Sequence, residues 1–292
     1  MIGAIGAAPL KVLRLEQWSK NLLVFVPLIC GHQFRDGEQW MRSAAAMLMF
    51  GFAASAQYVV NDLADRNSDR GHPHKNSRPI AAGTVSSTAA AGMAILLALL
   101  SFAIAFVLPQ ATVSILVAYH GLALVYTFVL RKVAVADVLL LAALYTLRVL
   151  GGGAATSIDI SPWLFALCLF LFLSLALVKR YADLLLLGPD AIHQGRGYDH
   201  RDLSLLLVLG ISSACVSVLV LVLYLQSAVA SQIYTYPDRL WLLCPLMLYW
   251  LVRFWRLAQR GELVRDPLSH ALRDRVSYLV VVLGVAVFAA SI

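Results

Sequence analysis

Charge is what this chain has least of. Only 13% of its 292 residues are Asp, Glu, Lys or Arg, where a soluble globular domain carries roughly 25%. The deficit runs along the whole length. The apolar residues, 61% of the total, fall in long runs rather than in the short strands of an apolar soluble enzyme. A bilayer is therefore the solvent this sequence is built for. Cysteine is scarce too: Cys30, Cys168, Cys215 and Cys244 are scattered through apolar runs, with no C-x-x-C and no metal spacing. They read as small hydrophobes facing lipid or other helices. A cleavable signal sequence is not expected, because the N-terminal residues lack a basic region, apolar stretch and small-residue cleavage site in order. The net charge of +7 does not argue for a nucleic-acid partner, because an excess of Lys and Arg in a membrane protein marks cytoplasmic loops.

A membrane span needs about 20 mostly apolar residues. Nine candidates are present: Lys20–Gln33, Ser43–Val60, Ser86–Leu108, Thr112–Leu130, Val133–Gly151, Pro162–Val178, Leu203–Gln226, Leu240–Trp255 and Val276–Ile292. The first is short. Ile2–Leu15 before it reads as an interfacial helix or a disordered lead-in. No second domain is visible, so the expectation is one all-α domain over residues 1–292, a polytopic bundle of nine transmembrane helices. With nine spans, alternate loops share a side, and 19 of the 23 Lys and Arg fall on one side against four on the other. That bias puts the N-terminus and the richer loops in the cytoplasm. The loops after spans two, six and eight are long and polar, and function is expected there, beside the helices between which bundles build their sites.

The strongest motif is Asn61-Asp62-Leu63-Ala64-Asp65-Arg66-Asn67-Ser68-Asp69, at the end of span two. On one continuous helix Asn61, Asp65 and Asp69 recur every four residues and Asp62 precedes Asp65 by three, so the four share a face. Carboxylates that close repel one another, and a cation between them relieves the repulsion. Hard oxygen ligands suit Mg²⁺, which such sites share with substrate phosphates. The plainer alternative is a solvated helix end whose acids pair with Arg66 and Arg70. A Pro- and Gly-marked loop follows, residues 71–83, and its Lys75 and Arg78 put free donors next to the acids. Acids holding a metal beside such bases describe a diphosphate site. His72 and His74 in this loop are left out of it.

A second cluster follows span six: Lys179-Arg180-Tyr181-Ala182-Asp183, then Gly195-Arg196-Gly197-Tyr198. Lys179, Arg180 and Asp183 fall within one helical turn. Arg196 and Tyr198 are natural donors to a phosphate or hydroxyl, and the glycines let backbone approach a ligand. Lys20 and Asn21, with Arg14 and Trp18, precede span one, where Trp and Lys most often anchor the interface. Arg148 inside span five is costly in lipid and must face the bundle or snorkel. The residues after span eight, Gly261-Glu262, Asp266-Pro267 and Asp274, form either a capping arrangement or a site wall.

Asn61-Asp62-x-x-Asp65-x-x-x-Asp69 closing the second of nine helices, with Ser77-Arg78-Pro79 following, resembles the UbiA-type intramembrane prenyltransferase superfamily. The resemblance implies a nine-helix bundle with Asp-rich loops after helices two and six on the cytoplasmic side. The second motif departs from the pattern: typical members carry D-x-x-x-D, but Asp183 is followed at 187 by Leu. With Gln17-Trp18-Ser19-Lys20-Asn21, Leu147-Arg148 before Gly151-Gly152, and Arg260-Gly261-Glu262 before Asp266-Pro267 and Asp274-Arg275, that departure resembles the decaprenyl-phosphate phosphoribosyltransferase branch.

The branch implies attack of a polyprenyl phosphate on C1 of phosphoribosyl diphosphate, with release of pyrophosphate, in a bacterial inner membrane and facing the cytoplasm. Asp62, Asp65 and Asp69 would hold Mg²⁺ on the leaving diphosphate. Asp62, Asp65, Lys75, Arg78, Lys179 and Arg180 would be the catalytic residues, the Lys and Arg among them as cations on phosphate, with Lys20, Asn21, Asn61, Tyr181, Asp183, Arg196 and Tyr198 binding substrate. An aromatic prenyltransferase using a prenyl diphosphate shares the fold and first motif but not the altered second. A transporter would show ionisable groups near mid-membrane, which the spans lack apart from Arg148. Homo-oligomerisation is an open option.

Overall fold

The computed structural model describes residues 12–71, 76–187, 197–263 and 266–292. Every regular element among them is helical. In chain order the α-helices are α1 (Val26–Cys30), α2 (Gly37–Ala64), α3 (Arg66–Arg70), α4 (Ser87–Val107), α5 (Ala111–Phe128), α6 (Ala136–Thr156), α7 (Pro162–Leu187), α8 (Leu203–Leu225), α9 (Ala228–Ile233), α10 (Leu243–Gln259), α11 (Pro267–Ala271) and α12 (Arg275–Ser291). Among the described residues seven helices are long and apolar enough to cross a membrane: α2, α4, α5, α6, α7, and the segments His200–Leu225 and Pro237–Gln259. The last two are α8 and α10 extended by 3-10 turns. The expected ninth span is the shorter apolar α12. The expected first span is a 3-10 segment, Leu15–Phe25, leading into α1. It starts earlier than Lys20 and is not one continuous α-helix; Pro27, at the first turn of α1, has no N–H to bond back into the preceding turn.

The chain divides into two compact units, Met1–Leu130 with Leu147–Ile160, and Arg131–Thr146 with Ser161–Ile292. The division falls within α6, so no linker marks it in the sequence. In the first unit α2 packs along α4 and against the Leu15–Phe25 segment, with Ala56, Val59, Ile80, Ala90, Ala94 and Leu97 closing a core. Asp36 starts α2 by accepting from the backbone N–H of Glu38 (2.8 Å) and Gln39 (3.4 Å), filling two otherwise unpaired donors. Gly152 of α6 lets the Val24 carbonyl come so close that a Cβ there would stand 2.0 Å from its oxygen. In the second unit α7 packs along α8, and α10 against both. Gly210 of α8 leaves room for the Trp255 ring, which would meet a Cβ at 1.9 Å. The same indole donates to Ser174 Oγ (3.1 Å), which donates to the Gly210 carbonyl (2.8 Å).

His120, in the middle of α5, corrects the expectation that the spans lack ionisable groups apart from Arg148. Its ring nitrogens meet Gln57 Nε2 (2.8 Å) and Ser101 Oγ (3.3 Å), and it stacks on Phe102. Both nitrogens are hydrogen-bonded within one unit, which makes His120 an internal polar joint rather than a sign of a transport path. After span eight, the capping alternative holds: Asp266 caps α11, Asp274 caps α12, and Gly261 takes the left-handed φ of 70° that ends a helix.

Candidate active site

In the first unit the acid motif does not lie on one unbroken helix. The α-helix α2 stops at Ala64; Asp65, at φ −92° and ψ 0°, separates it from α3. Asp65 is half-buried, while Asp62 and Asp69 are buried to 5% and 3% exposure. Arg78 spans the two buried acids, donating from Nη1 to Asp69 Oδ2 at 2.7 Å and to Asp62 Oδ1 at 3.2 Å. Arg14 donates to the same Asp62 oxygen at 2.6 Å and lies over the Tyr58 ring. Arg14 is itself in the left-handed region, φ 49° and ψ 49°, an uncommon conformation for a side-chain-bearing residue and one that a functional contact can maintain. The plainer pairing with Arg66 and Arg70 is not how Asp62 and Asp69 are satisfied. Arg66 donates to Ser87 Oγ (2.8 Å) and Arg70 to the Ala81 carbonyl (3.2 Å), pinning the loop that carries Arg78.

Two buried carboxylates thus converge on guanidinium charge. Among the described residues no group of three metal-capable side chains gathers; Asp62 and Asp69 share Arg78, and Asp65 stands at the break between α2 and α3. A pair still suits Mg²⁺, which usually takes one or two carboxylates and completes its shell with substrate phosphates and water. Asn61 accepts a hydrogen bond from Thr127 Oγ1. Asn21 is fully buried; its Oδ1 accepts from Arg148 Nε (2.9 Å), and Arg148 Nη2 donates to Tyr119 OH (2.8 Å). Arg148 therefore faces protein and does not snorkel. Lys20, next to Asn21 in the Leu15–Phe25 segment, is half-buried. Lys75 lies outside the described residues.

The second unit holds a separate buried network. Arg180 (1% exposed) makes an ion pair from Nη2 to Asp137 Oδ2 at 2.6 Å, and Asp137 is fully buried. Tyr198, 2% exposed, donates its hydroxyl to Asp137 Oδ1 and accepts from the Val135 N–H at 2.7 Å. Burial first, then the hydrogen bond to Asp137, pushes the Tyr198 phenol above the usual tyrosine range, so it stays a neutral donor. Val135 sits at φ 67°, an outlier for a β-branched residue. Gly197 lies so close to the Lys132 carbonyl that a Cβ would stand 2.3 Å from its oxygen. Arg180 Nε and Nη1 have no hydrogen-bond partner among the described residues, though Nη1 lies 3.7 Å from Asp183 Oδ2. A buried guanidinium with two donors to spare is suited to an anion.

Around that network the other expected residues divide. Lys179 Nζ pairs with Asp183 Oδ1, one turn on. Tyr181 is packed in the unit's core, edge-on to Trp255 at 5.8 Å. Arg196 lies outside the described residues. The Tyr198 hydroxyl is committed to Asp137 and Val135, so it orders the network rather than standing free for a substrate. Asp137, Arg14 and Tyr119 were not among the expected site residues. Asp137 had one visible signal, an acid just inside an apolar run.

The sequence pattern of the UbiA prenyltransferase family matches residues 24–272. The chain is 36% identical to an uncharacterized protein of Sinorhizobium fredii over 93% of its own length and 53% of that protein's, so it spans about half of that relative. It is 34% identical to nodulation protein NoeC of Azorhizobium caulinodans, covering 94% of this chain and 89% of NoeC. It is 37% identical to decaprenyl-phosphate phosphoribosyltransferase of Mycobacterium tuberculosis over 61% of this chain and 60% of that one. A solved UbiA homolog from Archaeoglobus fulgidus bound to GPP and Mg²⁺ superposes with a TM-score of 0.71 at 19% identity, over 96% of this chain and 99% of that one, which shows a shared fold. Pattern, relatives and fold agree, and the chain belongs to the UbiA prenyltransferase family.

Proposed function

We propose that this protein transfers the 5-phosphoribosyl group from phosphoribosyl diphosphate to a polyprenyl phosphate, releasing pyrophosphate. The observation that carries the reading is Arg180, a buried guanidinium held by Asp137 whose Nε and Nη1 have no hydrogen-bond partner among the described residues, where the superfamily pattern has an acidic motif. An acid pair would need a second metal to bind a phosphate; a guanidinium binds one directly. The name of the mycobacterial relative supports the same branch. The structural likeness to a protein bound to GPP bears on fold alone and does not favour the aromatic prenyltransferase reading.

In this account a phosphate oxygen of the lipid attacks ribose C1, the new C1–O bond forms, and the C1–O bond to the diphosphate breaks. Asp62 and Asp69 would hold Mg²⁺. The metal, when bound, supplies positive charge to the departing diphosphate. Arg78 and Arg14, now on the acids, have the donors to turn toward phosphate oxygens. Lys75 adds another charge on the same loop, and Asp65 sits at the helix break between the two holding acids. Arg180, with Lys179 and Arg196, receives phosphate, and Tyr198 through Asp137 keeps Arg180 in place. Lys20, Asn21, Asn61, Tyr181 and Asp183 shape the substrate's surroundings. We also retain the nine-span topology with these loops in the cytoplasm of a bacterial inner membrane. The product is a lipid-anchored pentose phosphate, the kind of donor that envelope glycolipid synthesis consumes.

The test is a competition with purified protein and Mg²⁺. Polyprenyl phosphate with phosphoribosyl diphosphate should release pyrophosphate. Turnover only of a prenyl diphosphate with an aromatic acid would replace this reading with the aromatic one.

A further inference from the structure

The C-terminal half of α10 carries a feature that the reaction does not use. Tyr249, Val252, Arg253, Arg256, Leu257 and Arg260 line an open cavity of about 290 Å³. Their spacing of three, one, three, one and three residues puts all six on one face over three turns. The two ends of this face differ. Tyr249 and Val252, 57% and 56% exposed, make an apolar end. Arg256 and Arg260, both exposed, make a cationic end where the apolar segment Pro237–Gln259 stops. Arg253 is fixed in the wall by a two-point ion pair with Asp274, 2.6 and 2.9 Å. The Arg256 side chain has no hydrogen bond or ion pair among the described residues, and the Arg260 side chain reaches only Glu262, at 4.0 Å.

Arginines at the end of a spanning helix are ordinary: they complement the helix dipole and extend toward the headgroups. That explanation requires neither a cavity nor exposed apolar walls running away from the charges. A groove with cations at the membrane boundary and apolar side chains toward its interior has the polarity of a phospholipid standing in its leaflet. We propose that it binds an anionic phospholipid, the phosphate on Arg256 and Arg260 and an acyl chain along Val252 and Tyr249. Guanidinium supplies paired donors in the fixed geometry that phosphate matches, and basic pockets at the membrane surface select acidic headgroups. The occupant is a membrane phospholipid rather than the reacting lipid, because the walls are exposed and a group-transfer site must exclude water.

The test is lipid retention by the detergent-purified full chain, read by native mass spectrometry after adding phosphatidylglycerol or phosphatidylcholine at equal concentration. The wild-type chain should keep phosphatidylglycerol in clear preference. Arg256→Gln with Arg260→Gln should lower that retention about tenfold while circular dichroism stays unchanged. Arg256→Gln alone and Val252→Gln, both at exposed positions, serve if the double variant folds poorly, and each should lower retention several-fold. Equal retention of the two phospholipids, or of phosphatidylglycerol by wild type and variants, would overturn the proposal. So would one-for-one displacement of phosphatidylglycerol by polyprenyl phosphate, which would make the groove a substrate site, or by millimolar inorganic phosphate, which would make it a free-anion site. None of these readouts depends on turnover.

Discussion

At the scale of single residues, buried charge is compensated by partners brought from elsewhere in the chain. Asp62 and Asp69 are buried with Arg78 across both and Arg14 on the first. Asp62→Asn and Asp69→Asn should each lower turnover about 100-fold, the scale of losing one partner of developing charge. Asp65→Asn should cost less, because Asp65 stands at the helix break outside the bridged pair. Pyrophosphate release from the three variants at saturating substrate checks the order, and near-normal turnover by Asp62→Asn would leave the acids as mere structure. Asp137→Ala strands the buried Arg180 charge and should destabilise the second unit by about 3–5 kcal/mol, read as lost thermal stability. Tyr198→Phe removes one hydrogen bond to the same carboxylate. It also strands the Val135 N–H, so it should cost about 1–3 kcal/mol and weaken binding of a phosphate substrate several-fold, with the chain still folding.

At the scale of elements, close approaches and caps carry the packing. Gly152→Ala would set a methyl 2.0 Å from the Val24 carbonyl oxygen. Backbone cannot turn aside as a flexible side chain can, so a loss of about 1–3 kcal/mol or more is expected in a denaturation series. Asp274 both caps α12 and pairs with Arg253. Burial raises its pKa, but the hydrogen bonds from Arg253 and Ser277 outweigh this and hold it down to about 2. A carboxyl depressed in the folded state stabilises fully above its unfolded value, and that contribution is lost as pH falls through the folded one. Asp274→Asn should therefore melt below wild type at pH 7, and the gap should close between about pH 4 and pH 2. A gap independent of pH would remove the ionised carboxylate from the account.

At the scale of the molecule, what could be read in the sequence was whatever depends on neighbours along the chain. The apolar runs gave the all-helical class. The caps at Asp36 and Asp274 follow from one side chain and the next three residues. The acids at 62, 65 and 69 stood out by their three- and four-residue spacing. The rest depends on distant pairings. Tyr198 and Asp137 are 61 residues apart and Arg148 and Asn21 are 127 apart, and no periodicity links them. The division inside α6 has no linker to betray it, and the break at Asp65 has no Gly or Pro beside it to mark it. The charge split predicts a cytoplasmic loop at Asn76, so a cysteine placed there should be labelled only from the cytoplasmic side.

The substrate pair is decided by one assay: pyrophosphate released by the purified protein from phosphoribosyl diphosphate, with Mg²⁺, with and without polyprenyl phosphate. Release should require the lipid phosphate, stop on chelation and fall in Asp62→Asn. No release with this pair, alongside turnover of geranyl diphosphate with an aromatic acid, would contradict the proposed function.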